Sequence, residues 1–395
     1  MAQYHCQCTE DRRKNLEKRH PRDYDDQMLR VILPALMTIV AVSGLFAVSL
    51  GRVTALEGEL SVTRAGKLLE AARLKEGLEL ETDDLLATGT LGRLEFTINA
   101  GGVAATCKLG SDSSLALDLS SLKKEQTTAL ELIGGSLTLK LTSVSGNSHL
   151  EIRTTEAIFS SRAGAFSLVC SLGGEWAVSA STGKVQCQVG NLAYQAEPGV
   201  VVVVSPNPPE ARSFLVNVNT IESWNQSWTT AMASDIRNRA LASFRFFASR
   251  YLQTSGQFQR AWNRWEREGR DLWGLWALQD TTGTQSSASL VVETKTMAGL
   301  LVPLRRLGTS LERDSFRLSQ LRTLVQQGVL SEGLEVSEGY TLKEFYRQLD
   351  RDLPEAFKRQ AMVRWMHKSY LQRTGGEFPA PVLVPGISRD SPFFH

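Results

Sequence analysis

The sequence predicts a membrane-anchored protein of several domains: one transmembrane helix, then an all-β domain, then a mainly α-helical domain. Three observations carry this. Residues 31–50, VILPALMTIVAVSGLFAVSL, hold twenty positions without a charged, amide or histidine side chain. From residue 53 to about 205 short runs of alternating apolar and polar residues are punctuated by glycine. Beyond residue 219 that period-two texture gives way to helical spacing with a concentration of tryptophan.

At roughly 1.5 Å of helix per residue, the apolar run reaches about 30 Å, the thickness of a hydrocarbon core. Lys and Arg are retained on the cytoplasmic side of a membrane, and seven of them precede the run within residues 1–30. The predicted topology is therefore single-pass in a bacterial inner membrane, with the amino terminus cytoplasmic and the bulk periplasmic. A cleaved signal peptide has a shorter apolar core and a shorter basic lead. Residues 1–30 balance those seven cations with six acids and few apolar groups, which reads as a flexible cytoplasmic tail. Cys6 and Cys8 in that tail have the chemistry of zinc ligands, but no second Cys/His pair with ligand spacing accompanies them.

In the β region, Leu94-Glu95-Phe96-Thr97-Ile98 and Ser136-Leu137-Thr138-Leu139-Lys140-Leu141 are half-buried strands by their period. Gly58, Gly101-Gly102, Gly134-Gly135, Gly173-Gly174 and Gly183 mark turns. Strands launched from Gly58, Gly135 and Gly174 predict a twisted sandwich or a short β-solenoid of stacked hairpins. If a disulfide forms outside the membrane, Cys170 with Cys187 is the expected pair, and Cys107 is left over.

The order of motifs here resembles the FecR domain, the periplasmic module of membrane-bound regulators. The resemblance spans about residues 53–205. It rests on Leu56-Glu57-Gly58-Glu59-Leu60-Ser61-Val62, on Asp83-Asp84-Leu85-Leu86-Ala87-Thr88-Gly89, on Gly92-Arg93-Leu94-Glu95-Phe96 and on Gly134-Gly135-Ser136-Leu137. Further along it rests on Gly164-Ala165-Phe166-Ser167-Leu168 and Glu197-Pro198-Gly199. It implies a periplasmic β domain and, in the family, signalling to a sigma factor. Thirty polar residues are too few for the family's sigma-binding domain. Some members cleave themselves at a Gly-Thr bond, and the matching Gly164-Ala165 lacks the attacking hydroxyl.

Residues 206–218 read as a Pro-rich linker or a last strand. The helical domain is expected over 219–373. A long helix is predicted from 219 to 252 and a second from 257 to 278. Helical patterns follow around 298–327, broken at Pro303 and Gly308. Thr341-Leu342-Lys343-Glu344 is a capping box with Tyr340 and Phe345 as its hydrophobic staple, starting a helix that ends near Asp352. Pro354 begins the last helix, and residues 374–395 read as an extended tail.

Trp224 with Trp228, Trp262 with Trp265, and Trp273 with Trp276 fall at helical spacing and are the candidate partner-binding residues. The competing reading is packing between helices. Arginines at 237, 239, 245, 250, 260, 264, 267 and 270 interleave with acids and read as a solvated face.

A net charge of +2 recommends no nucleic acid. His149, after a Gly-Asn-Ser turn, reads as an exposed loop residue, and His367 as a surface residue of an amphipathic helix. Neither lies in a nucleophile elbow or a metal-spaced cluster, and Asp83-Asp84 would face opposite ways on a strand. No cofactor and no enzymatic activity are expected. The functional expectation is a periplasmic binding or scaffold protein with partners in the envelope, a glycan or peptidoglycan contact and self-association staying open. A transmembrane regulator of FecR type is the alternative.

Overall fold

The computed structural model describes residues 51–64, 67–118, 127–154, 156–206, 209–282, 287–337 and 339–374. The predicted tail at 1–30, the membrane helix at 31–50 and residues 375–395 of the C-terminal tail lie outside the described residues. Among the described residues no helix is long and apolar enough to cross a membrane.

Alternation along the β region produces two nine-stranded sheets sharing one core. On Arg93–Ala100, Leu94, Phe96 and Ile98 point inward. Val103, Ala105, Cys107 and Leu109 do the same on the neighbouring Val103–Leu109. Those strands are joined by Gly101 and Gly102, at φ 60° and 76°, the left-handed pair that a two-residue hairpin turn requires.

In space, the first sheet runs Pro209–Leu215, Val200–Pro206, Trp176–Gly183, Gly164–Cys170, Ser136–Val144, Val103–Leu109, Arg93–Ala100, Gly51–Glu57 and Glu79–Leu80. The second runs Leu192–Ala196, Val185–Val189, Ile158–Ser161, His149–Arg153, Thr127–Gly134, Ser114–Asp118, Leu85–Thr88, Leu60–Arg64 and Lys67–Leu68. From residue 93 onward the chain lays down two strands in one sheet, then crosses to the other, except that Ser136–Val144 enters the first sheet alone. The result is a sandwich rather than a solenoid.

The proline-rich stretch closes a hairpin: Pro206 pairs with Pro209 and Val200 with Leu215, so it extends the first sheet by an edge strand. Proline is tolerated there because an edge leaves one side of the ladder unpaired.

Among the described residues five α-helices follow: α1 (Ile221–Asn238), α2 (Ala240–Glu268), α3 (Arg270–Thr282), α4 (Ser287–Gln326) and α5 (Leu342–Thr374). The helix expected to run to 252 is interrupted at Arg239, whose N–H donates to both Asp235 O and Ile236 O. Beyond it α2 passes straight through Thr254, Ser255 and Gly256. Phe244, Phe247, Ala248, Tyr251, Phe258, Trp262 and Trp265 keep one face buried along its length. Mid-helix Gly costs only about 1 kcal/mol, so burial decides.

The expected breaks at Pro303 and Pro354 do not occur. α4 and α5 each continue through the proline. A mid-helix proline costs about 3 kcal/mol. Leu300, Leu301, Leu304, Leu311, Leu318, Leu321 and Leu324 of α4 are buried on either side of Pro303, which outweighs it. The capping box at the start of α5 does form: Thr341 N–H donates to Glu344 Oε2 at 2.8 Å, and Glu344 N–H to Thr341 Oγ1 at 3.3 Å. Tyr340 and Phe345 staple it, ring centroids 6.3 Å apart.

Candidate functional site

The helices meet the sandwich along a seam of charged side chains. α4 lies over strand Thr127–Gly134. Gly134 permits the approach, since a Cβ there would sit 2.2 Å from the ring of Phe316. On either side of this contact Arg313 bonds Glu131 Oε1 at 3.2 Å, and Arg317 donates to Ser171 O at 3.0 Å. Arg317 also touches Cys170 Sγ and lies over the Trp176 ring.

One turn deeper, Arg364 of α5 bonds Glu312, and Arg305 reaches both His367 and, at 3.8 Å, Asp83 Oδ1. Asp83 comes from a turn and holds a left-handed φ of 66°. Asp84 points the other way, its carboxylate accepting from Arg64 at 2.7 and 2.9 Å. Beside the seam, Arg250 of α2 bonds Asp314 of α4 at 3.0 Å and ties the two helices together.

Burial dominates the electrostatics. Asp314 is 1 % exposed, and desolvation holds its carboxyl up to about 7 despite Arg250. Glu312 is pushed up for the same reason, against the opposing pull of Arg364. Asp84 is likewise raised by burial, with Arg64 pulling the other way.

Asp83, Glu131, Arg305, Glu312, Gln360 and Arg364 line a cavity of about 20 Å³. That is space for a water molecule, far below what an organic substrate occupies. No group of three or more His, Cys, Asp or Glu that could hold a metal occurs among the described residues.

Sequence reasoning placed both histidines outward, and the structure corrects both. His149 begins strand His149–Arg153 and is half-buried, its Nε2 3.0 Å from Glu151 Oε1. His367 is fully buried, because the face of α5 that carries it packs on α4. Arg250 also leaves the expected solvated face to meet Asp314, whereas Arg264 follows the expectation and pairs with Glu268 at the surface. Cys170 and Cys187, the pair favoured should a disulfide form, are not joined. Cys107, Cys170 and Cys187 are buried free thiols, and Cys170 and Cys187 belong to opposite sheets. Burial pushes the Cys170 and Cys187 thiols up to about 12.

The six tryptophans divide. Trp262, Trp265 and Trp276 are buried in the helical core, and Trp276 Nε1 donates to Glu293 at 2.9 Å. Trp273 packs against that core and meets Trp365 edge-on at 4.9 Å. Trp224 and Trp228 stay half-exposed on α1, whose one buried residue is Ile236. Their rings lie 6.2 Å apart with planes within 10°, and Phe214 of the edge strand extends the row at 6.4 Å from Trp224.

No family model matches the chain, and no curated protein matches it. Two crystal structures of a proposed anti-sigma factor from Parabacteroides distasonis ATCC 8503 are similar in part. The 1.65 Å structure is 13 % identical, with a TM-score of 0.31 over 36 % of this chain and 64 % of that one. The 2.50 Å structure is 16 % identical, with a TM-score of 0.28 over 34 % of this chain and 65 % of that one. The match covers less than two thirds of either.

Proposed function

We propose that the chain is a membrane-tethered regulator of the FecR type that works through protein contacts and catalyses no reaction. The observation that supports this is the agreement between motif order and backbone. Gly58, Gly135, Gly164 and Gly199, each within a FecR-like motif, occupy left-handed positions with φ of 69°, 88°, 103° and 88°. Each sits where a turn hands the chain to a strand, and at three of them an added Cβ would press within 2.4 Å of the facing residue. These motifs are therefore read as turn chemistry of one β fold rather than as scattered glycines. The charged groups of the seam are engaged with one another, which suits a structural joint better than acid-base chemistry.

A scaffold is the second reading, and the seam favours it. A joint of buried ion pairs makes the sandwich and the helices one body, which is what a passive support needs. The two readings differ in what the amino-terminal tail does. Residues 1–28 exchanged for an unrelated basic sequence leave the predicted anchor in place. Transcript levels are then compared in wild-type, deletion and exchanged cells. A transcriptional change on deletion that the exchanged chain fails to reverse supports the regulator. Full reversal by the exchanged chain refutes it in favour of the scaffold.

A further inference from the structure

We infer that residues 378–385 fold back along α5 and cover the aromatic corner formed by Trp365 and Trp273. The inference is independent of the regulator reading, since it concerns the helices alone. Trp365 is 43 % exposed and meets half-buried Trp273 of α3 edge-on, ring centroids 4.9 Å apart and planes at 78°. Two indoles at nearly a right angle make a corner, and aromatic-lined grooves of this kind take up proline-rich extended segments. Phe357, 45 % exposed, sits eight residues before Trp365, about 12 Å along the helix and about 80° around it. Among the described residues of α5, Phe357 and Trp365 are the exposed large apolar side chains.

The occupant follows from where α5 ends and what comes next in the chain. The last turn is fixed on α3: Arg373 donates to Trp276 O and lies over the Trp276 ring, which is 6.1 Å from the Tyr370 ring and 6.5 Å from Trp273. Thr374, the last described residue of α5, therefore stands beside the aromatic face. Gly375 and Gly376 follow at once, and glycine is the residue that reverses a chain at a helix end. From Phe378 to Ser388 the run FPAPVLVPGIS carries no charge. It is too short to span a membrane, and its prolines disfavour a place within a sheet, so a neighbouring apolar face is what removes it from water. The reach agrees. Trp365 lies about 14 Å back along α5 from Thr374. An extended proline-rich segment rises about 3.1 Å per residue, so about five residues beyond the glycines bring Pro381 to Trp365, and Pro385 then comes level with Phe357. A tether this short holds the segment at an effective concentration on the order of millimolar, so even a weak contact is populated. The chain itself then takes this face, which removes Trp273 from the partner-binding candidates.

The full chain in detergent micelles, with a benzoylphenylalanine photo-crosslinker in place of Ala380, is mixed with an isotope-labelled copy, irradiated and digested for mass spectrometry. Crosslinks should join residue 380 to peptides holding Trp365 or Trp273 within one chain. In parallel, hydroxyl-radical footprinting compares the wild type with a chain ending at Thr374 and with a full-length chain carrying Pro379→Ser and Pro381→Ser. Oxidation of Trp365 should rise roughly two- to threefold on truncation, since 43 % exposure leaves that much surface to cover, and in part with the two serines. Trp224 and Trp228 should keep their rates. Buried Trp262 reports whether each chain stays folded, and if truncation unfolds the helices the serine variant and the crosslinks decide. Three results overturn the inference. They are absence of crosslinks to α3 or α5, crosslinks that join only unlike copies, and Trp365 oxidation equal in the wild type and the folded variants. The second would assign the face to the same segment of a second chain.

Discussion

Asp314→Asn tests the physics of the charges beside the seam most directly. Asp314 Oδ1 faces Arg250 at 3.0 Å, while Oδ2 is buried without a hydrogen-bond partner among the described residues. Glu156 adds repulsion, and Arg313 and Arg317 add attraction. Burial outweighs the pull of these charges and lifts the carboxyl from 3.8 to about 7. A folded-state value above the unfolded one means that the native protein binds the proton more tightly. The stability this contributes is complete below the unfolded value and is lost as pH rises through about 7. Between about pH 5 and pH 8 the linkage removes about 2.5 kcal/mol from the native state, a fall of about 3 to 4 °C in melting temperature for a body of this size. Asparagine has the same shape and no charge to desolvate, and Arg250, 27 % exposed, can turn to water. Calorimetric melting at the two pH values should show the wild type losing this much more than the variant. An equal drop in both proteins would refute the claim that desolvation of Asp314 sets this pH dependence.

Other sites give sharper structural tests. Gly134→Ala drives a methyl into the Phe316 ring, and chemical unfolding should show a loss of about 1 to 3 kcal/mol, the range for overpacking a core. Arg313→Met strands Glu131, only 13 % exposed, and should cost about 3 kcal/mol by the same assay. Adding Glu131→Met should recover much of that loss. Thr341→Ala removes the reciprocal cap of α5 and should lower stability by about 1 kcal/mol, with helix content otherwise intact. Maleimide treatment of the native chain followed by mass spectrometry should leave Cys107, Cys170 and Cys187 unmodified, because burial keeps each protonated and covered. Labelling of Cys170 or Cys187 before unfolding would contradict the packing.

What the sequence exposed and what it hid follow from how far each signal reaches along the chain. Turn glycines and period-two runs are local, so the hairpin around Gly101-Gly102 and the strand beginning at Ser136 could be read directly. The capping box at Thr341 is local too, and it formed as written. Pro303 and Pro354 misled because their cost is also local, while the leucine burial that outweighs it comes from partners far along the chain. The seam was the least visible feature. Glu131 and Arg313 are separated by 182 residues, and Cys170 and Arg317 by 147, so no spacing rule joins them. An arginine on a charged helix face looks alike whether it meets water or a buried acid. Arg250 and Arg264 show the point: both belong to the run of arginines along α2, yet one meets the buried Asp314 and the other pairs at the surface. The tryptophans obey the same logic. Helical spacing predicts that two indoles share a face, and only packing decides which face. Trp262 and Trp265 lie on the side of α2 that α4 covers, whereas α1 buries Ile236 and leaves Trp224 and Trp228 beside the edge strand. The binding question therefore narrows from six aromatic residues to the two that no helix covers.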